Sequence, residues 1–357
     1  MTPELSAGLG FAVAGGAALV ATPVAIAVAV RADFYDRPRD YHQHLAPTPL
    51  LGGTGVLVGF LLGSIAAGLD GKLVVLVGCG LALWLIGTLD DRIPIAPAWR
   101  LLSETGLALA LVWAGLGWRT SGGEAADIAL TVVWVVGIVN GFNLMDNLDG
   151  ACGTVASVSA AGIGTLAALH GDSAVAGAAF ALAGACVAFL PWNLARPAKI
   201  FLGDGGSRPI GLLVAGLAMV TARRLHVGDT NLLAGALLVG VVILDTALVT
   251  VSRTRRGVTL VTGGRDHLTH RLLLVRRSPQ AVAVVVASAQ AILCAMAIAA
   301  DQRGAQAIGI VALVTAALGV VAIAVLDTPR WRPLGIAGAA RPAAPSDPIR
   351  LARVERQ

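Results

Sequence analysis

Apolar residues run on without interruption along most of this chain, and polar ones are confined to a few short groups. Apolar runs of about the length that crosses a bilayer, roughly 20 residues, recur at 7–30, 51–69, 72–89, 101–118, 128–145, 151–169, 174–192, 209–222, 231–251, 281–300 and 307–326, the one at 209–222 being short. They do not alternate with period two over segments of about ten residues, as strands of a membrane barrel do. Hydrocarbon offers no partner to backbone N–H and C=O groups, so each run predicts a helix. The pattern predicts an all-α polytopic membrane protein with about eleven transmembrane helices, or ten. Residues 1–327 read as one transmembrane domain, and 328–357, rich in Pro, Ala and Arg, as a flexible cytoplasmic tail. The first run opens with Glu4 and is too long for a cleaved signal peptide.

Composition agrees with this pattern. Of 357 residues 56% are hydrophobic and 13% charged, against about 25% charged in a soluble domain. The pI near 9.5 suggests a nucleic-acid partner only until the charges are placed. When the loops are assigned to alternating sides, Lys72, Arg119, Arg223, Arg224 and Arg303 are five of the 26 Lys and Arg, and all the others share the opposite side. The positive-inside rule makes that richer side cytoplasmic, with the N-terminus outside and the C-terminus inside. The basic pI therefore requires no nucleic acid. Cys79, Cys152, Cys186 and Cys294 lie in or beside apolar runs without CxxC spacing and read as buried thiols.

Five polar groups fall on the cytoplasmic side: "DRPRDYHQHLAPTPLLGG" (36–53), "GTLDDR" (87–92), "NGFNLMDNLDG" (140–150), "FLGDGGS" (201–207) and "GGRDHLTHRL" (263–272). Each alone has an ordinary explanation as a helix cap, a turn or a solvated loop. Together on one face they describe a site at the membrane surface. Asp90, Asp91, Asp146, Asp149 and Asp204 sit at the ends of apolar runs, where retaining several carboxylates calls for an opposing charge. Hard oxygen donors without thiolates favour Mg²⁺, with Mn²⁺ the other suitable cation. Mg²⁺ commonly lies between one or two carboxylates and substrate phosphates, which points to phosphate chemistry. Gly203, Gly205 and Gly206 would let the backbone approach a pyrophosphate, with Ser207 adding a hydroxyl. His267, His270, Arg265 and Arg271 would supply donors and charge. Asn140 and Asn143 suit a ligand's neutral polar edge. The chain has no GxxxxGK[ST] loop.

In this order the motifs resemble those of the polyprenyl-phosphate N-acetylhexosamine-1-phosphate transferase family, glycosyltransferase family 4, and its N-acetylglucosamine-type branch, which is related to the muramoyl-pentapeptide transferases. The resemblance runs from about Asp33 to Leu272. It rests on Asp90–Asp91 followed by "RLL" (100–102), on Asn140, Asn143, Asp146, Asp149 and Gly150, on Phe201 to Ser207, and on "PTPLLGG" (47–53). Two positions depart from the family pattern. Asn147 stands where glycine is frequent, and Thr269 replaces a histidine of the His-x-His-His motif.

The resemblance implies a bacterial inner-membrane enzyme that transfers a sugar-1-phosphate, N-acetylglucosamine-1-phosphate first among the candidates, from a UDP-sugar to undecaprenyl or decaprenyl phosphate. UMP is released, in the first membrane step of a cell-envelope polysaccharide pathway. It also implies Mg²⁺ on Asp204 with Asp91 as a further ligand, Asp90 deprotonating or positioning the lipid phosphate, Asp146 near phosphates or metal, and Asp149 towards the uracil. His267, His270 and Arg271 would bind diphosphate or sugar, alongside Asn140, Asn143, Gly203 and Ser207. A homodimer is a further implication. Another UDP-sugar, a diacetamido sugar or muramoyl-pentapeptide, stays open, as does a route through a covalent phospho-aspartate. A transporter would place its carboxylates near the midplane on broken helices of related halves, whereas here they stand at helix ends on one side.

Overall fold

The computed structural model describes residues 1–36, 47–225, 230–259 and 264–331. Most of the first polar group (37–46), Gly263 of the last, and 332–357 of the expected tail lie outside the described residues. Each apolar run folds as helix. The first becomes α1 (Pro3–Arg31), opened by Pro3 and by Thr2, whose hydroxyl accepts the Leu5 N–H. Then follow α2 (Gly52–Ala66), α3 (Gly71–Arg92), α4 (Pro97–Trp113), α5 (Glu124–Met145), α6 (Ala151–Leu169) and α7 (Ser173–Asn193). The short run at 209–222 lies within a longer helix, α8 (Asp204–Leu225), because the polar "DGGSR" group forms its first turn. The last elements are α9 (Thr230–Leu238), α10 (Gly240–Arg256), α11 (Leu268–Arg276), α12 (Pro279–Asp301) and α13 (Ala305–Leu326). Two short antiparallel strands, β1 (Tyr35–Asp36) and β2 (Thr48–Pro49), pair Tyr35 with Pro49.

The molecule is an all-α multi-pass membrane protein. Among the described residues eight helices are long and apolar enough to cross a bilayer, against about eleven expected. Three runs account for the difference. At 15 and 17 residues, α2 and α4 fall short of a full span. The run at 231–251, expected as one helix, is bent by 86° between α9 and α10, and the pair adds a ninth span if counted as one. The bend exposes backbone groups that hydrocarbon cannot satisfy, and a buried amide from α12 takes them up. Gln290 Oε1 accepts the Val241 N–H at 3.0 Å, and its Nε2 donates to Leu238 O at 2.9 Å.

At the centre stands α8, almost wholly buried, packed against α3 and α5 with α6 and α2 behind it. At the periphery α13 exposes Leu313, Leu318 and Val320 as a lipid-facing surface. Small residues let the helices approach closely: a Cβ at Gly10 of α1 would lie 2.4 Å from Gly177 O of α7. The starts of α2, α4, α6 and α8 and the ends of α1, α3, α5 and α7 share one end of the molecule, which collects the described parts of the expected polar groups. The opposite end is less bare than the sequence suggests, since His170 pairs with Asp301 and Arg224 with Asp172.

Candidate active site

Two neighbouring aspartates at the end of α3 point to different partners. Consecutive helical residues are about 100° apart around the axis, so Asp90 and Asp91 face different ways, although both meet Asp204, Asp91 at its N–H and Asp90 at its carboxyl side. Asp91 reaches the N-terminus of α8. Its Oδ1 accepts the Asp204 N–H at 2.9 Å and its Oδ2 the Gly205 N–H at 3.0 Å, so one helix caps another. Gly203 precedes this turn with φ +74°, and a Cβ there would lie 2.6 Å from Asp91 Oδ2. The adjacent glycines make room for protein rather than for ligand: a Cβ at Gly205 would meet Thr88 Oγ1 at 2.3 Å, and one at Gly206 the Leu202 side chain and Gly53. The "PTPLLGG" segment is the other side of this packing. Phe201 N–H donates to Pro49 O, and Gly52 and Gly53 N–H donate to Phe201 and Leu202 O.

Asp90 turns inward. Arg100 grips it with two nitrogens at 3.0 and 2.8 Å, the Ile95 N–H donates to Oδ1 at 2.7 Å, and Arg208 Nη2 lies 3.1 Å from Oδ2. Its side chain is 1% exposed, so Asp90, expected to deprotonate or position the lipid phosphate, is enclosed by protein groups. Enclosed between two guanidinium groups, it holds Arg208 in place. Arg208 in turn pairs with Asp204 Oδ2 at 2.9 Å, while Asn143 Nδ2 donates to Asp204 Oδ1 at 2.6 Å and to Ser207 Oγ at 3.1 Å. Asn140 Nδ2 donates to the fully buried Glu104 and to Val136 O. The amide donors of both asparagines, expected to read a ligand, are spent on the protein: Asn143 orients Asp204, and Asn140 satisfies Glu104.

The loop after α5 carries Asp146 and Asp149, both half-buried. It is closed by Gly150 at φ +78°, where a Cβ would lie 2.2 Å from Leu194 Cδ2, and by Asn193, whose Oδ1 accepts the Gly150 N–H at 2.7 Å. Burial, and after it the charges of Asp204, Asp91 and Asp149, push the Asp146 carboxyl well above the usual carboxylate range. That mutual repulsion is the electrostatic mark of an acidic cluster around the N-terminus of α8.

The histidine segment is anchored by two carboxylates that the sequence reading missed. Asp245 of α10, fully buried, accepts the Leu268 N–H and lies 2.9 Å from His267 Nδ1, which fixes that ring. Asp266 receives Arg253 at 2.9 and 2.8 Å and Arg256 at 2.7 Å. Burial alone would raise its pKa, but the hydrogen bonds and charge of the arginines win and hold it below the ordinary carboxylate value. Arg271, expected to bind diphosphate, is fully buried: it donates to Asp266 O, Leu326 O and Ser252 Oγ and ties α11 to the end of α13. Its role is that of an internal clamp, and the substrate-binding expectation is revised.

His270 is buried with Nδ1 unpartnered among the described residues. Burial first, then the positive charges of His267 and Arg265, lower its pKa to about 4, so it is a neutral imidazole at pH 7. A folded-state pKa below the unfolded value of about 6.5 means that the unfolded chain takes the proton first. The contribution is intact above pH 6.5 and is lost as pH falls towards 4, on the order of 3 kcal/mol at full titration. The melting temperature in detergent should therefore fall across this window, and His270→Gln should flatten the fall. An equally steep fall in the variant would refute the assignment.

The donor set fits Mg²⁺. Asp91 and Asp204 offer hard oxygens without any thiolate, and Asp146 is raised by burial and then by neighbouring negative charges that a cation would offset. Among the described residues no three His, Cys, Asp or Glu converge closely enough to hold a metal alone. A cavity of about 340 Å³ opens beside Asp91, lined by Asp33, Phe34, Tyr35, Asp36, Leu50 and Arg92. Glu104, Asp245 and Gln290 were legible by one signal: Glu104 and Asp245 are each the one charged residue of an apolar run, and Gln290 is the one amide of its run.

Comparison with known proteins bears on the same residues. The model of glycosyl transferase family 4 matches residues 73–222, from α3 to α8. A decaprenyl-phosphate N-acetylglucosaminephosphotransferase of Mycobacterium tuberculosis is 32% identical over 297 residues, covering 70% of this chain and 71% of that protein. The undecaprenyl-phosphate alpha-N-acetylglucosaminyl 1-phosphate transferase of Escherichia coli is 26% identical over 294 residues, 77% of this chain and 78% of that one. A phospho-N-acetylmuramoyl-pentapeptide-transferase of a Synechococcus species is 35% identical over a shorter 201 residues, 50% of this chain and 57% of its own. The matched stretch contains Asp90, Asp91, the loop at 140–150 and Asp204, the groups that the fold gathers around the start of α8, and the chain belongs to glycosyl transferase family 4, the polyprenyl-phosphate N-acetylhexosamine-1-phosphate transferases.

Proposed function

We propose that this enzyme transfers N-acetylglucosamine-1-phosphate from UDP-N-acetylglucosamine to a polyprenyl phosphate and releases UMP, at the cytoplasmic face of a bacterial inner membrane. The observation that carries the reading is the gathering of Asp91, Asp146 and Asp204 at the α8 N-terminus, next to the anchored histidine segment. The basic loops on that end of the molecule support the cytoplasmic assignment. The longer coverage of the N-acetylglucosamine-type relatives favours that sugar over muramoyl-pentapeptide.

In the reaction an oxygen of the lipid phosphate forms a bond to the sugar-proximal phosphorus. The bond from that phosphorus to the bridging oxygen breaks, and its electron pair leaves with UMP. Mg²⁺ held by Asp204 and Asp91 would neutralise charge on the diphosphate as UMP departs. The protein supplies position. Asn143 and Arg208 fix the Asp204 carboxylate, Asp91 fixes the turn that carries it, and the neutral His270 offers a hydrogen bond without a net charge. Asp149 stands on the loop beside Asp146, where the uracil end is expected.

The test is UMP release by purified protein in detergent with undecaprenyl phosphate, Mg²⁺ and UDP-N-acetylglucosamine. Release should require lipid and metal and should resist competition from UDP-muramoyl-pentapeptide. Folded protein that releases no UMP from any UDP-sugar would sink the proposal.

A further inference from the structure

The two positions at which the motifs depart from the family pattern touch each other. Thr269 Oγ1 donates a hydrogen bond to Asn147 Oδ1, across 122 residues of sequence. Asn147 lies between Asp146 and Asp149, and its Nδ2 donates to Leu144 O at the end of α5. The amide is thereby oriented, nitrogen to the backbone and oxygen to Thr269. Thr269, fully buried, lies between His267 and His270. Each partner belongs to a segment already anchored elsewhere, the aspartate loop by Asn193 and the histidine segment by Asp245 and Asp266.

A hydrogen bond between two anchored segments adds little to global stability but sets their separation, and small displacements of positioning groups are felt in binding. We infer that Asn147 and Thr269 form a positioning pair that sets the gap between the carboxylate loop and the histidines, and so determines how firmly the UDP-sugar is held. The threonine hydroxyl is the right size for the task. It hydrogen-bonds an amide that glycine could not offer, and it leaves His267 and His270 as the two rings of the segment, 6.1 Å apart. The inference rests on the transferase reading.

The experiment uses the full-length protein in detergent with Thr269→Val, which keeps the shape and loses the hydroxyl, Asn147→Ala, the double variant, and Thr269→Ser, which keeps the hydroxyl. Thr269→Val and Asn147→Ala should each raise KM for UDP-N-acetylglucosamine about fivefold with kcat within about twofold. The double variant should be no worse than either single, because both remove one shared bond. Thr269→Ser should stay near the parent. Multiplying effects in the double variant, an unchanged Thr269→Val, or losses confined to kcat and melting temperature that serine does not rescue would each overturn the pair. Absence of UMP release by the parent protein would instead defeat the transferase reading and the donor-holding role with it. Melting temperatures of the parent, Thr269→Val, Asn147→Ala and the double variant then decide on the bond itself, additive shifts refuting it and non-additive shifts retaining it.

Discussion

Asp266→Asn should lower stability by about 3 kcal/mol or more at neutral pH, one of the two largest effects expected of any single change here. The substitution keeps the shape and removes the charge that neutralises Arg253, whose side chain is 2% exposed, and Arg256. Breaking a buried pair from one side costs about 3–5 kcal/mol, because the remaining charge is stranded. The sign with pH follows from the low folded-state pKa of Asp266. Its stabilisation is present above the unfolded carboxylate value near 3.9 and is lost as pH falls below it. The gap between parent and variant, read from unfolding in detergent, should therefore be constant from pH 8 to about 5 and narrow only in stronger acid. A gap under about 1 kcal/mol at pH 7 would mean that the arginines find other partners. Since Asp266 adjoins His267, UMP release should fall with stability.

Asp91→Asn should cut UMP release by at least about 100-fold with a much smaller change in melting temperature. An asparagine can present one acceptor to the two N–H groups that Asp91 now receives, and its NH₂ must face the other donor. The turn carrying Asp204 then shifts, and a carboxylate of the acidic cluster disappears. Activity within tenfold of the parent would show that Asp91 only caps α8. Collapse of the melting temperature would show that the cap dominates its role.

The spans were legible because a continuous apolar run in lipid has one backbone solution, so each of the eleven runs proved helical. The gathering of Asp91, Asp146 and Asp204 was legible because loop parity puts alternate helix ends on one side. What periodicity could not say was which of two adjacent aspartates looks inward. Asp90 and Asp91 are chemically equal in sequence, and only the positions of Arg100, Arg208 and the α8 amides distinguish them. Arg271 misled for a related reason: a basic residue beside two histidines reads as a phosphate ligand until the end of α13 is seen folded over it. The shortfall in full spans has another cause, since hydropathy measures how apolar a run is and does not detect a bend whose freed backbone groups are met from elsewhere.

That bend has a consequence for how the molecule is made. The amide that satisfies it belongs to α12, 49 residues after Val241. Until α12 follows, the kinked backbone at Leu238 and Val241 lacks the Gln290 amide that meets it in the folded protein. The hydrogen bonds of the bent form are complete only once α12 is docked. A protein truncated before Gln290 is therefore expected to lose the partner of this bend, and with it the fixed placement of α10, which carries Asp245.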